Sequence, residues 1–252
     1  TYDHFFRKED KLSVYASGQR VQRDSYYGAN YSLSDYGYTE DFSYTVGAQY
    51  DAELGESNMV FGIEDKGAWL KDRKMGYPNL DEASINFNDS TVNIPYTENR
   101  TIADQATNTL GIFAQYKFEW NKLKISAGAR FDHYQIDDQS KNHSDITGNV
   151  VSPRLTLKYD IKEALQARVS FSQGYRAPQI YDEDLHIETS GARKVIHRNT
   201  PDLKQETSNS FMASLDYNGQ LGNTYVGLLV EGFYTHLKDA FVNEFGAPDE
   251  NG

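Results

Sequence analysis

A chain of 252 residues is long enough for one large core or two modest ones, yet only 38% of it is hydrophobic, with 19 Tyr and 13 Phe against 2 Trp. That supply is thin for an ordinary globular core of this size. The formal net charge of -12 argues against binding nucleic-acid phosphates, and the absence of cysteine excludes disulfides and thiolate metal sites. No apolar run approaches the roughly 18 residues of a membrane-spanning helix, and no signal peptide is visible, so the chain is either soluble or crosses a membrane as strands.

Along the chain the apolar residues recur every second position, the period of a strand. Weak alternation at Leu12 to Ala16, Phe42 to Tyr50 and Met59 to Ile63 opens the series. It becomes clear in "LGIFAQYKFEW", where Leu110, Ile112, Ala114, Tyr116, Phe118 and Trp120 stand against Gly111, Phe113, Gln115, Lys117 and Glu119. Leu123 to Phe131 follows, with Lys124, Ser126, Arg130 and Asp132 on the other face. "VSPRLTLKYDI" sets Val151, Pro153, Leu155, Leu157, Tyr159 and Ile161 against Arg154 and Lys158. "LQARVSFSQGY" sets Leu165, Ala167, Val169, Phe171 and Tyr175 against Arg168 and its polar neighbours. Phe211 to Tyr217 and Val226 to Tyr234 complete about nine strands, or ten if "HFF" near His4 closes an earlier one.

The connections alternate strictly. Short ones, "DAELGES", "EWNK", "DIKEA" and "NGQLGN", interleave with long ones over roughly 24–40, 73–105, 137–149 and 176–206. Every tight turn therefore lies at one end of the sheet and every long loop at the other. Strands of about 12 residues exceed the usual 5–6 but fit a tilted membrane span. With apolar-out, polar-in alternation and aromatic ends, the pattern predicts an all-β, antiparallel transmembrane β-barrel rather than a soluble sandwich. An open sheet edge is not tolerated in lipid, so residues 1–252 are expected to be part of a larger barrel whose remaining strands lie outside this sequence.

At "GYRAPQIYDEDLH" and "NTPDLKQETS" the sequence resembles the barrel of TonB-dependent outer-membrane receptors, with wording most similar to members from Bacteroidetes. In that family an aromatic-Arg-Ala-Pro box ends one strand and an Asn-Pro-Asn/Asp-Leu-x-x-Glu box starts the next. Tyr175, Arg176, Ala177 and Pro178 match the first; Pro201, Asp202, Leu203 and Glu206 match the second, with Asn199 displaced by the inserted Thr200. The resemblance implies a Gram-negative outer-membrane receptor that imports a ferric siderophore, haem or cobalamin with energy from TonB. It also implies an N-terminal plug and a TonB-pairing box, neither visible in this sequence. Outer-membrane lipid and the TonB complex through that absent region are the implied partners, with no intrinsic cofactor. The long connection 73–105, polar with scattered Tyr, Phe and Ile, suits recognition of a small ligand, a surface lipoprotein or a phage, or is a loop with no ligand of its own.

Between the two boxes lie His186 and His197, with Arg193, Lys194 and Arg198 nearby. In haem importers a histidine here is a proposed axial ligand, and neutral imidazole suits iron; the bland alternative is a solvated loop histidine. Arg193 and Arg198 either meet carboxylates of a ligand or pair with Asp182, Glu183 and Asp184. That acidic run lacks the spaced pattern of a calcium loop, so no metal is assigned. Arg130, Asp132, Arg154, Lys158 and Arg168 are read as lumenal charges that hydrate the interior or hold a plug. No nucleophile elbow or zinc-protease motif occurs, and the chain is not expected to be an enzyme. Import is the leading expectation; the alternative is a passive outer-membrane barrel or surface-interaction protein.

Overall fold

The computed structural model describes residues 1–6, 10–26, 32–139, 145–178, 203–242 and 247. Its main body is one ten-stranded antiparallel sheet. In chain order its strands are β1 (Tyr2–Phe5), β2 (Lys11–Tyr26), β3 (Tyr36–Leu54) and β4 (Ser57–Lys74). The connection that follows carries two small hairpins, β5 (Tyr77–Pro78) with β8 (Tyr96–Thr97), and inside it β6 (Ser84–Asn86) with β7 (Thr91–Asn93). The sheet then resumes with β9 (Arg100–Trp120), β10 (Leu123–Asp138), β11 (Ile146–Lys162), β12 (Leu165–Arg176), β13 (Glu206–Leu221) and β14 (Thr224–Lys238). Each strand of the sheet pairs with its neighbour in sequence, the two hairpins apart, and the "HFF" segment supplies β1. The sheet is not closed on itself; β1 and β14 are its edges, as expected for part of a larger barrel.

The strands are longer than the alternation alone indicates: β4 runs on from Ile63 to Lys74, and β9 begins at Arg100 rather than Leu110. The long connections shrink accordingly to 27–35, 75–99, 139–145 and 177–205. Strict apolar-polar alternation is needed only across the apolar belt of a barrel wall; beyond it the pattern lapses while the hydrogen-bond ladder continues.

At the other end, Leu54 pairs with Ser57, Trp120 with Leu123 and Leu221 with Thr224, so each turn has two residues. The first of each pair has positive φ, Gly55 at 72°, Asn121 at 51° and Gly222 at 62°. That is the geometry two-residue hairpins need, and Gly and Asn are the residues that adopt it cheaply.

Burial identifies the faces. Large apolar side chains are exposed at alternate positions, Ile112 at 54%, Val151 at 55% and Val169 at 49%. Among the described residues the buried hydrophobics are only Ala103, Tyr134, Ile136 and Val150. A soluble sandwich would bury the apolar face; here that face is left exposed, as on the outer side of an outer-membrane barrel. From Leu110 to Trp120 the outward band spans roughly 33 Å of strand, hence about 24 Å of height at a 45° tilt, which matches the apolar belt of an outer-membrane barrel. Tyr116, Trp120 and Tyr159 lie toward the turn end of this face. Phe42, Tyr44 and Trp69, stacked at 5.7 Å, lie toward its loop end.

Candidate functional site: the inner wall and its rim

The register aligns Tyr15, Gly47, Glu64, Gly111 and Asp132 side by side across β2, β3, β4, β9 and β10. On the inner face the long side chains of this row reach over the glycines between them. Tyr15 donates its hydroxyl to Glu64 at 2.8 Å across Gly47. Arg130 pairs with Glu64 at 3.1 Å, and its Nε donates to Asp132 at 2.7 Å. Asp132, 3% exposed, has Tyr175 of β12 as a close neighbour. A Cβ on Gly111 would strike the Arg130 guanidinium and Asp132 Oδ1; one on Gly47 would strike the Tyr15 ring. The glycines are therefore the slots in which a polar network crosses the sheet, and a buried charge set is tolerable only when paired in this way.

The aromatic-Arg-Ala-Pro box sits at the loop-end rim of this wall. The ladder from β11 to β12 stops at Arg154 and Ser172, beside Pro153, which has no N–H to donate. Past that point the β12 ladder runs only to β13, with Gln173 Nε2 donating to the Val151 carbonyl of β11 at 2.9 Å, and Tyr175 turns inward to stack on Tyr134 at 6.0 Å and 25°. This corrects its sequence-based placement on the outward, apolar face. Tyr134 lies over Gly148 and donates to Gln205 at 3.1 Å. Tyr175 and Ala177 pack on the buried cluster of Tyr134, Ile136 and Val150, and Pro178 is fully buried.

Arg176 and Glu206 face each other as cross-strand partners, so the two boxes meet in register. Arg176 lies over the Phe241 ring at 5.6 Å, and Glu206 accepts from the Phe241 N–H at 3.2 Å. In the described residues the boxes thus act as a clasp joining β12, β13 and the chain after β14. Leu203 is half-buried beside it. Pro201, Asp202, His186, His197, Arg193 and Arg198 lie outside the described residues.

Of the other lumenal charges, Lys158 and Arg168 stand opposite each other across β11 and β12, and Arg154 stands between Gly128 and Ser172, one inward position from Arg130. Above that network, toward the loops, a recess of about 370 Å³ is lined by Ser43, Thr45, Lys66, Thr107, Tyr175 and Arg176 among others. Glu64 and Lys66 escape sequence reasoning because "IEDKG" breaks the alternation that marks a strand. The signal that could have found them is the glycine spacing on neighbouring strands.

The connection 75–99 is ordered by local turn bonds rather than by a core. Asp89 accepts from the Thr91 hydroxyl at 2.7 Å and from its N–H at 3.1 Å, which holds the Asp89 carboxyl below its usual range, the hydroxyl bond contributing most. Phe87, 86% exposed, with Ile85 and Val92 leaves an apolar tip. Among the described residues no group of three or more His, Asp or Glu is placed to hold a metal ion.

A vitamin B12 transporter, BtuB, of Vibrio cholerae serotype O1 is 23% identical over 203 residues, which cover 72% of this chain and 31% of the transporter. The fold is similar to that of the FrpB iron transporter from Neisseria meningitidis, with TM-score 0.65 and 16% identity over 91% of this chain and 34% of that one. It is similar also to the ferric yersiniabactin uptake receptor FyuA from Yersinia pestis, with TM-score 0.62 and 15% identity over 94% and 34%. The chain spans about a third of the length of these relatives. A family model described as TonB dependent receptor-like, beta-barrel, matches residues 1–252, and the chain belongs to that family.

Proposed function

We propose that the chain is part of the barrel wall of a Gram-negative outer-membrane receptor that imports a metal chelate or similar scarce nutrient, a ferric siderophore, haem or cobalamin, with energy supplied through TonB. The observation that carries this reading is the sidedness of the wall in a chain matched throughout by the receptor family: apolar outside, charged and hydrogen-bonded inside, with long connections at one end only. In this reading the loop end faces the medium and captures the ligand, and the polar inner wall lines its path. The TonB complex acts through a part of the receptor outside residues 1–252.

His186, His197, Arg193 and Arg198, between the two boxes, are assigned to ligand contact, the arginines through charge-assisted hydrogen bonds to carboxylates. The clasp formed by Arg176, Glu206 and Phe241 supports this assignment, because it anchors both ends of that connection at the rim. The exposed apolar tip at Phe87 is assigned to a surface lipoprotein partner.

The test is uptake by cells carrying the full-length gene, under iron or cobalamin limitation, with and without TonB. Uptake that requires both the receptor and TonB is the expected result; uptake unaffected by loss of TonB would establish a passive barrel instead. Optical titration of the full-length receptor with haem examines the histidines. An unchanged Soret band and affinity in both His186→Ala and His197→Ala would remove them as iron ligands.

A further inference from the structure

β14 breaks the sidedness of the wall. On its outward side Leu228 and Val230 stand level with Tyr217 and Leu215 of β13 and continue the apolar belt. Its inward positions carry a second apolar series, Tyr225, Leu229, Phe233 and Leu237, with Gly227, Glu231 and Thr235 between them. The adjoining inner wall is polar at the same levels. Beyond Met212, the row of Phe233 continues through Ser170 and Thr156, and the row of Leu229 runs through Asp216, Gln166 and Asp160. A strand that is apolar on both sides has the pattern of one that is covered on both sides.

Within residues 1–252 the inner series is open, with Phe233 81% and Leu229 61% exposed. A further strand at the free edge of β14 would pair with its backbone in the plane of the sheet and leave this face uncovered. Lipid meets the opposite side. From Tyr225 to Leu237 the series extends about 40 Å along the strand, its large side chains about 14 Å apart, which exceeds the span of a small-molecule pocket. Lumens of outer-membrane barrels hold either water or protein. Water would leave the burial energy of these side chains unrealised, whereas an apolar protein surface realises it. The relatives, of which this chain spans about a third, have the length to supply such a surface.

We propose that the inner side of β14, centred on Leu229 and Phe233, is a docking stripe for an apolar face of a lumenal segment of the same receptor, outside residues 1–252. The inference rests on the membrane-wall part of the reading above and not on which nutrient is imported. The stripe seats that segment against one strand, because the adjoining rows of β11 and β12 offer it hydroxyls, an amide and a carboxylate instead.

Residues 1–252 contain no cysteine, so single introduced thiols report on each side of the strand. The full-length receptor in lipid vesicles is labelled with two reagents, a charged, water-soluble methanethiosulfonate and the membrane-soluble pyrene maleimide. The methanethiosulfonate is expected to label Leu229→Cys and Phe233→Cys at least about ten-fold more slowly than Ser170→Cys on the inner side of β12, since a covered thiol reacts only when its cover opens. Pyrene maleimide is expected to label Val230→Cys, on the outward side, and neither Leu229→Cys nor Phe233→Cys. Equal methanethiosulfonate rates at Phe233→Cys and Ser170→Cys overturn the docking stripe and leave the membrane wall standing. Labelling of Phe233→Cys by pyrene maleimide alone overturns the stripe too, because that face then meets lipid. Labelling of Val230→Cys by the methanethiosulfonate overturns the wall and the stripe together.

Discussion

Gly111 lies where a methyl group would overlap the Arg130 guanidinium and Asp132 Oδ1, so its value is the room it leaves, not its conformational freedom. Gly111→Ala is expected to destabilise the folded barrel by about 1–3 kcal/mol, the usual cost of overpacking a fitted site. Gly232 supplies the control, because a Cβ there meets nothing within 4 Å. Urea titration of the full-length receptor in lipid should separate the two variants; equal loss in both would show that backbone propensity, not the network, is at work. A second residue-scale effect lies at Asp89, whose carboxyl is held below its ordinary value of 3.8 chiefly by the Thr91 hydroxyl. The sign follows from the depressed folded value. The turn bond contributes fully above the ordinary carboxylate pKa and is lost as pH falls through the lower, folded one. Thr91→Val is expected to move the Asp89 titration upward, observed by carboxyl-carbon NMR, and to loosen the β6–β7 hairpin at a correspondingly higher pH.

The inner network belongs to the scale of elements, because Tyr15, Glu64, Arg130, Asp132 and Tyr175 come from β2, β4, β10 and β12. Arg130→Met would leave the nearly buried Asp132 carboxylate without its cation, and breaking a buried pair in this way costs about 3–5 kcal/mol. Arg130→Met combined with Asp132→Leu is expected to recover most of that loss. A double variant no better than the single one would show that Arg130 acts independently of Asp132. The same contrast explains what the sequence discloses. Inside the lipid belt, alternation at Leu110 to Trp120 or Val151 to Ile161 marks each strand, because every second side chain must be apolar. Beyond the belt that demand ends, so the extensions of β4 and β9 are silent in the sequence although the ladder runs on. Arg130 and Asp132 are legible as lumenal charges from their parity alone. Their partners Tyr15 and Glu64 are not, since register between β2, β4 and β10 depends on pairing across distant segments. The two boxes are legible as strand ends, but that Tyr175 turns inward follows from the end of the β11–β12 ladder beside Pro153, which local alternation does not contain.

For the whole molecule the decisive property is which side of the wall is dry. Ala114 and Gln115 are consecutive in β9, midway along the outward band, and point to opposite faces. Ala114 stands level with Phe61 and Ala129 on the apolar side, whereas Gln115 stands level with Val60 and Gly128 on the inner side. An arginine at Ala114 must place its charge near the middle of the hydrocarbon layer, a cost of about 2–4 kcal/mol at the midplane of a barrel. An arginine at Gln115 enters a lumen that already carries Lys158, Arg168 and the Arg130 network, where it remains hydrated. Folding of the full-length receptor into vesicles, followed by urea titration, should therefore show a large loss for Ala114→Arg and a small one for Gln115→Arg. A sheet packed against a soluble core through its apolar side would respond in the same order, so a second outward position along β9 must be compared. In a membrane barrel the penalty at Ala114 is tied to bilayer depth, and moving the arginine from Ala114 to Asn108, above the belt on the same face, should remove most of it. A buried soluble core has no such gradient along one strand, and equal penalties at the two positions would overturn the membrane-spanning wall.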